Sequence, residues 1–377
     1  MAGKKEKKTE GRTALPFEQP IEEVRSRLVE LEELAERTSH DLSEELEFYR
    51  DRLARLTRET YSNLTPWERV QVARHPDRPL TTDYIRALCT DFVELHGDGF
   101  YGDDRAMVTG LGILCGKRVL VVGQRKGRTT KGRLECNFGS SHPEGYRKAL
   151  RKMKLAERMK LPVVVFVNTP GAYPGVGAEE RGQARAIAEN IYQMFDVKVP
   201  IVVVVIGEGG SGGALGIAVG DRIGMLENSW YSVISPEGCA SILWRSAEGK
   251  EKAAEALKLT AIDLEKFGII DAIIPEPLGG AHTNAEAATR AVGQQIVAWL
   301  EDLESLDGDD LLSRRREKFR HIASATAVLS RAVAEAETKK DDAPGPGSSD
   351  ATVLPASTRR TGRAVSRRAG KGRDGRG

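Results

Sequence analysis

Two stretches of this chain, 38 residues apart, are built alike. Lys160-Leu161-Pro162-Val163-Val164-Val165-Phe166-Val167 runs into Asn168-Thr169-Pro170-Gly171-Ala172-Tyr173-Pro174-Gly175. Lys198-Val199-Pro200-Ile201-Val202-Val203-Val204-Val205-Ile206 runs into Gly207-Glu208-Gly209-Gly210-Ser211-Gly212-Gly213. Neither apolar run alternates, so each predicts a strand covered on both faces, as in a parallel sheet. Each then enters a glycine-rich loop and a helix-forming segment. The N–H groups at a helix start have no partner inside the helix and suit negative charge. Two such loops at one edge of a parallel sheet predict a pocket that stabilises an oxyanion.

The surrounding pattern supports an α/β fold. Val24, Leu28, Leu31 and Ala35, then Leu42, Leu46, Tyr49, Leu53 and Leu56, predict two amphipathic helices with narrow apolar stripes. Asp41-Leu42-Ser43-Glu44 fits a capping box that restarts the second helix, giving an antiparallel hairpin whose role is packing. Arg74-His75-Pro76-Asp77-Arg78-Pro79 reads as a loop and 83–95 as a helix. Strands are expected at 106–114 and 117–123 around a turn at Gly116-Lys117, then a helix from Gly145 to Met159 with basic residues on its outer side. Helices near 178–195 and 211–219 follow the two repeats, then strands at 222–226 and 230–234 and a helix from Pro236. Long helices are expected at 284–304 and 311–338. Strands alternating with helices imply a largely parallel sheet with right-handed crossovers.

Composition narrows the function. A length of 377 residues allows one large domain or two. The net charge of +2 conceals a basic end: residues 351–377 carry +7, leaving −5 on the rest. Beyond Lys340 the chain is Gly, Pro, Ser and Arg with almost no large apolar residue, which predicts a disordered tail. No apolar run approaches the ~20 residues that span a bilayer, and Met1 to Glu10 lacks the apolar core of a signal peptide. A cytoplasmic protein is the expectation. Cys89, Cys115, Cys136 and Cys239 have no paired spacing and the six histidines are scattered, so no metal site is expected.

Familiar motifs need discounting. Gly207-x-Gly209-x-x-Gly212, with Glu227 downstream, matches a dinucleotide fingerprint, but a Rossmann domain opens with that unit and here it lies mid-chain. Gly209-x-Ser211-x-Gly213 matches a nucleophile elbow, yet His282 is the sole histidine between Ser211 and the last helix. Ser211 is read instead as a small residue that turns the backbone and caps the helix. The basic loop from Arg125 to Arg133 lacks the Gly-Lys-Ser/Thr ending of a phosphate loop. It reads equally as a grip for a phosphate-bearing ligand or acidic partner and as a solvated surface loop. Glu179-Glu180 at a helix start suits the helix dipole. What remains is a pocket of backbone donors with no acid, base or nucleophile. Such a pocket serves reactions in which a substrate or cofactor brings its own base, as with thioester enolates or the ureido oxygen of biotin.

At these residues a resemblance emerges. Asn137-Phe138-Gly139, Pro143-Glu144-Gly145-Tyr146-Arg147-Lys148-Ala149-Leu150, Thr169 to Gly175, Gly207 to Leu215, Tyr231 to Ala240 with Ile242-Leu243-Trp244, and Glu276-Pro277-Leu278-Gly279-Gly280-Ala281-His282 resemble the carboxyltransferase α-subunit family of bacterial acetyl-CoA carboxylases. Ala73-Arg74-His75-Pro76 and Pro16-Phe17-Glu18-Gln19-Pro20-Ile21 extend the likeness, which covers roughly 16–320.

The resemblance implies a crotonase/ClpP-like spiral of ββα units preceded by the helical hairpin. The implied organisation is a disordered start (1–15), the hairpin (16–66), a crotonase-like domain (67–304), a C-terminal helix (305–340) and a disordered basic tail (341–377). It implies transfer of a carboxyl group from carboxybiotin, held on a biotin carboxyl carrier protein, to acetyl-CoA, giving malonyl-CoA for fatty acid biosynthesis. A β subunit with a zinc ribbon would complete an α2β2 assembly, and ATP would be used by the partner biotin carboxylase alone. By the family pattern Gly212 and Gly213 form the oxyanion hole for the biotin ureido oxygen, with Gly171, Ala172, Tyr173, Gly209 and Gly210 around the substrate pocket. The sequence departs from the pattern at Gly99, Gln124-Arg125, Ser140-Ser141-His142 and Asn168. Other expectations carried alongside are a subunit of another biotin-dependent acyl-CoA carboxylase or decarboxylase, and a structural subunit binding nucleic acid through its tail.

Overall fold

β4 (Val163–Thr169) and β5 (Ile201–Gly210), the strands of the two repeats, lie side by side and parallel at the centre of an eight-stranded sheet. The computed structural model describes residues 13–38 and 41–324. Val163, Val165 and Val167, with Ile201, Val203 and Val205, face one core; Val164, Phe166, Val202, Val204 and Ile206 face another. Both faces are covered, which is why the sequence shows no alternation.

The helical hairpin is α1 (Gln19–Arg37) and α2 (Ser43–Ser62). Ile21, Val24, Leu28 and Leu31 bury the α1 stripe, and the 3-10 turn Pro16–Glu18 precedes it. The expected capping box is absent. Leu42 is the N-cap, and Asp41 accepts from Ser43 N and Oγ at 3.1 and 2.6 Å while Glu44 takes no part. The cap fails because Asp41 sits one position too early.

Next come α3 (Pro66–Ala73), capped by Thr65, and α4 (Thr81–Leu88). The helix expected over 83–95 stops at Leu88, and β1 (Cys89–Glu94) takes the rest. Leu88, Phe92 and Leu95 mimic helical spacing, but pairing with the edge of β2 (Met107–Leu114) wins, with a bulge between Thr90 and Val93. β2 and β3 (Lys117–Gln124) form the expected hairpin. α5 (Thr130–Glu135) and α6 (Pro143–Arg158) lead to β4.

The helix expected near 178–195 is broken into α7 (Val176–Glu180) and α8 (Gln183–Met194) by Gly182, at φ 80°. α9 (Ser211–Leu215), β6 (Arg222–Leu226) and β7 (Trp230–Ser232) follow β5. α9 is shorter than the expected 211–219. The sheet runs β1-β2-β3-β4-β5-β6-β8, with β8 at Ala272–Ile274, and it is parallel from β3 onward. β5 changes neighbours along its length: Val202–Val205 pair with β6, and Glu208–Gly210 pair with β7. That change of partner turns the sheet into the expected α/β spiral.

α10 (Pro236–Trp244) is capped by Ser235, and α11 (Lys250–Leu257) and α12 (Ala261–Lys266) follow. α13 (Ala285–Glu304) packs Val292, Ile296 and Leu300 into the second core. α14 (Gly308–Ser324) is held by Arg315, fully buried, which bridges Asp221 at 2.7 and 2.9 Å and donates to the carbonyls of Met194, Val197 and Val199. The expected remainder of that helix to 338, and the expected tail, lie outside the described residues.

Candidate functional site

The two glycine loops meet backbone to backbone at the end of β4 and β5. A Cβ on Gly213 would lie 2.3 Å from Ala172 N and 2.5 Å from the Gly171 carbonyl carbon. One on Gly210 would lie 2.2 Å from Pro170 O, and one on Gly209 would lie 2.8 Å from the Tyr231 ring. Real Cβ atoms do not approach so closely, so three glycines are required by contact alone. Gly171 adopts φ 150°, with Thr169 Oγ1 bonded to both its N–H and its carbonyl.

The structure brings all seven expected site residues into this one cluster, in two tiers. Gly209, Gly210 and Gly213 are buried where the loops touch, while Gly212, Gly171, Ala172 and Tyr173 are half-buried at the opening. A Cβ on Gly212 would meet only Ile187 of α8, at 3.6 Å and beyond. Ser211 turns the backbone as expected, at φ 56°, but it does not cap α9: the N-cap is Gly210 and no side chain caps the helix.

Polar side chains support the loops, among them several at positions that depart from the family pattern. Gln124, at the end of β3, donates from Nε2 to Gly213 O at 3.1 Å and accepts Asn168 N at 3.0 Å. Tyr146 OH donates to the same Gly213 carbonyl at 3.2 Å. Asn168 Oδ1 accepts Glu208 N at 3.2 Å. His142 stacks on Tyr173 with ring centroids 4.2 Å apart, and Ser141 O accepts Tyr173 N at 3.0 Å. At Gly99, φ 75°, the Arg151 guanidinium fills the space a side chain would take. The signal available in the sequence was position: Gln124 and Asn168 are polar residues ending or just following long apolar runs.

A cavity of about 400 Å³ opens beside these loops, lined in part by Arg74, Lys126, Phe138, Asn168, Pro170 and Glu208. Glu208 is bound by Arg74 Nε at 2.7 Å and by Lys126 Nζ, and Arg74 also reaches Glu237 at 2.5 Å. Burial alone would raise the Glu208 carboxyl, but the two cations outweigh it and hold it below its ordinary value. The basic loop is therefore partly spent inside the protein: Lys126 pairs with Glu208, Arg125 with Glu94 and Arg128 with Asp83.

Glu18, His75 and His282 place one ligand atom each within 4.8 Å of one another, the one such group among the described residues. The two imidazoles are stacked, 3.8 Å between centroids and 20° between planes, so no single point lies near 2 Å in the plane of both rings. His75 also uses both nitrogens, Nε2 on Thr13 O at 2.6 Å and Nδ1 on Asp77 N at 3.1 Å. The cluster is a joint between the segment leading into α1 and the domain. Burial pushes the Glu18 carboxyl up, but the neighbouring His282, 3.7 Å away, with hydrogen bonds from Tyr61 OH and Leu15 N–H, brings it down to about 2.

An α/β spiral with two glycine loops in backbone contact at the ends of its central strands defines an enzyme subunit of the carboxyltransferase class. Residues 14–323 match the family described as acetyl co-enzyme A carboxylase carboxyltransferase-like. The acetyl-coenzyme A carboxylase carboxyl transferase subunit alpha of Thermus thermophilus is 54% identical over 82% of this chain and 98% of its own length. That of Geobacillus kaustophilus is 52% identical over 83% and 96%. Among solved structures, a transcarboxylase 12S core with methylmalonyl-coenzyme A bound is 20% identical, at TM-score 0.49, over 59% of this chain and 41% of that one. The chain belongs to the family of acetyl-coenzyme A carboxylase carboxyltransferase α subunits. Among the described residues, no helix is long and apolar enough to cross a membrane.

Proposed function

We propose that this chain is the α half of a carboxyltransferase that moves a carboxyl group from carboxybiotin, carried on a partner protein, to acetyl-CoA. The reading is carried by one observation: two glycine loops in backbone contact, with Gly212, Gly171 and Ala172 left half-open beside them. A cradle that a Cβ would fill suits a flat ring whose oxygen must be met by peptide groups. Biotin supplies the transferred carboxyl and a ureido group that can take a proton. The residues supply the rest. The N–H groups of Gly212 and Gly213 start a helix, so their partners lie outside it, and they meet negative charge on oxygen. One such donor is worth ~2.7–4 kcal/mol in a barrier. Tyr173, stacked on His142, walls the opening.

A second chain completes the enzyme in this proposal. Val233, Ile242 and Leu243 on and before α10 are 77%, 72% and 63% exposed, apolar side chains that a partner subunit would cover. The partner is a β subunit with a zinc ribbon, in an α2β2 assembly served by a biotin carboxyl carrier protein and an ATP-using biotin carboxylase. The test uses the chain assembled with that subunit, with malonyl-CoA and biotin, following acetyl-CoA. Gly212→Val is expected to lower turnover at least tenfold with assembly intact. Full turnover by this variant would overturn the site.

A further inference from the structure

We propose that Gln124 is a positioning residue for carboxyl transfer, its side-chain amide setting the separation of the two glycine loops. The inference rests on the functional reading above. Its starting point is a gap in the sheet. β3 pairs with β4 only as far as Gly123 and Phe166, and the β4–β5 register breaks between Val167 and Thr169. The β3–β4 ladder thus ends before the first loop, and beyond Val167 the two loop-bearing strands share only the irregular pair of Thr169 with Gly209, which leaves Gly171 and Gly213 outside the regular pairing.

Gln124 spans that gap. Its backbone is fixed by Thr81 Oγ1 on its carbonyl at 2.5 Å and by its partner Met107 in β2. Its side chain is fully buried. The amide oxygen takes the N–H of Asn168, just before the first loop, and the amide nitrogen donates to the carbonyl of Gly213 in the second. The orientation is forced, because Asn168 N can only donate and Gly213 O can only accept. Tyr146 OH makes the second bond to that carbonyl, which pins the peptide plane after Gly213. With no water able to substitute in a buried site, each of these bonds is costly to lose.

A group with two acceptors and no donor at position 124 would break the clamp while keeping its shape. Gln124→Glu supplies that change under pH control. Protonated, the carboxyl still donates to Gly213 O and accepts Asn168 N. Ionised, it faces the Gly213 carbonyl with negative charge. In the chain assembled with its partner subunit, with malonyl-CoA and biotin, the ratio of variant to parent kcat is expected to fall at least tenfold between about pH 6 and pH 8.5. The KM for biotin and the assembly should stay unchanged. Gln124→Met, with no donor at any pH, should show a pH-independent loss of about 10- to 100-fold in kcat. If that variant does not assemble, Gln124→Glu alone decides. A flat ratio across the pH range, or a change confined to KM, overturns the positioning role. A parent complex that transfers no carboxyl overturns the functional reading instead.

Discussion

Gly213 and Ala172 touch main chain to main chain, with room for no atom between the Gly213 α-carbon and the Ala172 nitrogen. The neighbouring Gly212 has open space apart from Ile187 at 3.6 Å. Gly213→Ala should therefore push the loops apart and cost about 1–3 kcal/mol of stability, with transfer lost. Gly212→Ala should change stability by about 1 kcal/mol or less. Urea unfolding of both variants measures the contrast; equal costs would contradict the contact.

Arg315 and Asp221 form an ion pair with almost no exposure on either side chain, and three main-chain carbonyls share the guanidinium. Removing the cation leaves Asp221 buried and unpaired. Arg315→Met should destabilise by ~3–5 kcal/mol. Arg315→Lys should recover only part of this, because a single ammonium cannot reproduce five directed donors. Denaturant midpoints report both.

The joint of Glu18, His75 and His282 predicts an acid-sensitive attachment of the N-terminal hairpin. Burial, followed by the neighbouring His282, holds His75 below its ordinary value, so the unfolded chain binds this proton more readily than the folded one. Its contribution is present above about pH 6.5 and is lost as pH falls through the depressed folded value. Glu18 acts in a separate and lower window, between its ordinary value near 4.5 and about 2. Hydrogen exchange in α1 should accelerate as pH falls below 6.5, after correction for intrinsic rates. His75→Gln should flatten that dependence above pH 5; an unchanged slope would assign it elsewhere.

Association should fail before folding does on the α10 surface. Ile242→Asp combined with Leu243→Asp places charge on two exposed positions, so the melting temperature of the isolated chain should stay within a few degrees. Co-purification with the partner subunit should be lost. Retained assembly would exclude this face as the junction.

Much of this architecture was legible because it is written locally. The apolar runs of β4 and β5 carry their own evidence of double-sided burial, and the glycines follow them directly. Other features were decided elsewhere in the chain. Leu88, Phe92 and Leu95 keep helical spacing, yet Cys89–Glu94 is a strand because β2 offers it an edge. Gly182 looks like any helix-weakening glycine until its positive φ is seen to separate α7 from α8. Gln124 reaches Asn168 and Gly213, 44 and 89 residues away, and no local pattern encodes such pairs. The family resemblance supplied the role of the glycines, and it marked Gln124 only as unusual.

The change of neighbours along β5 has one more consequence. Val202–Val205 belong to the core and Glu208–Gly210 to the loop junction, on one unbroken strand. A sideways slip of a single residue in the core half would exchange the side chains facing the two cores, and it would drag the glycines out of step with Pro170 and Ala172. Natural variation that changes the size of the opening therefore has little freedom in this strand. It must come from the outer wall, at Tyr173, His142 and Ile187, where side chains can change size without disturbing the centre.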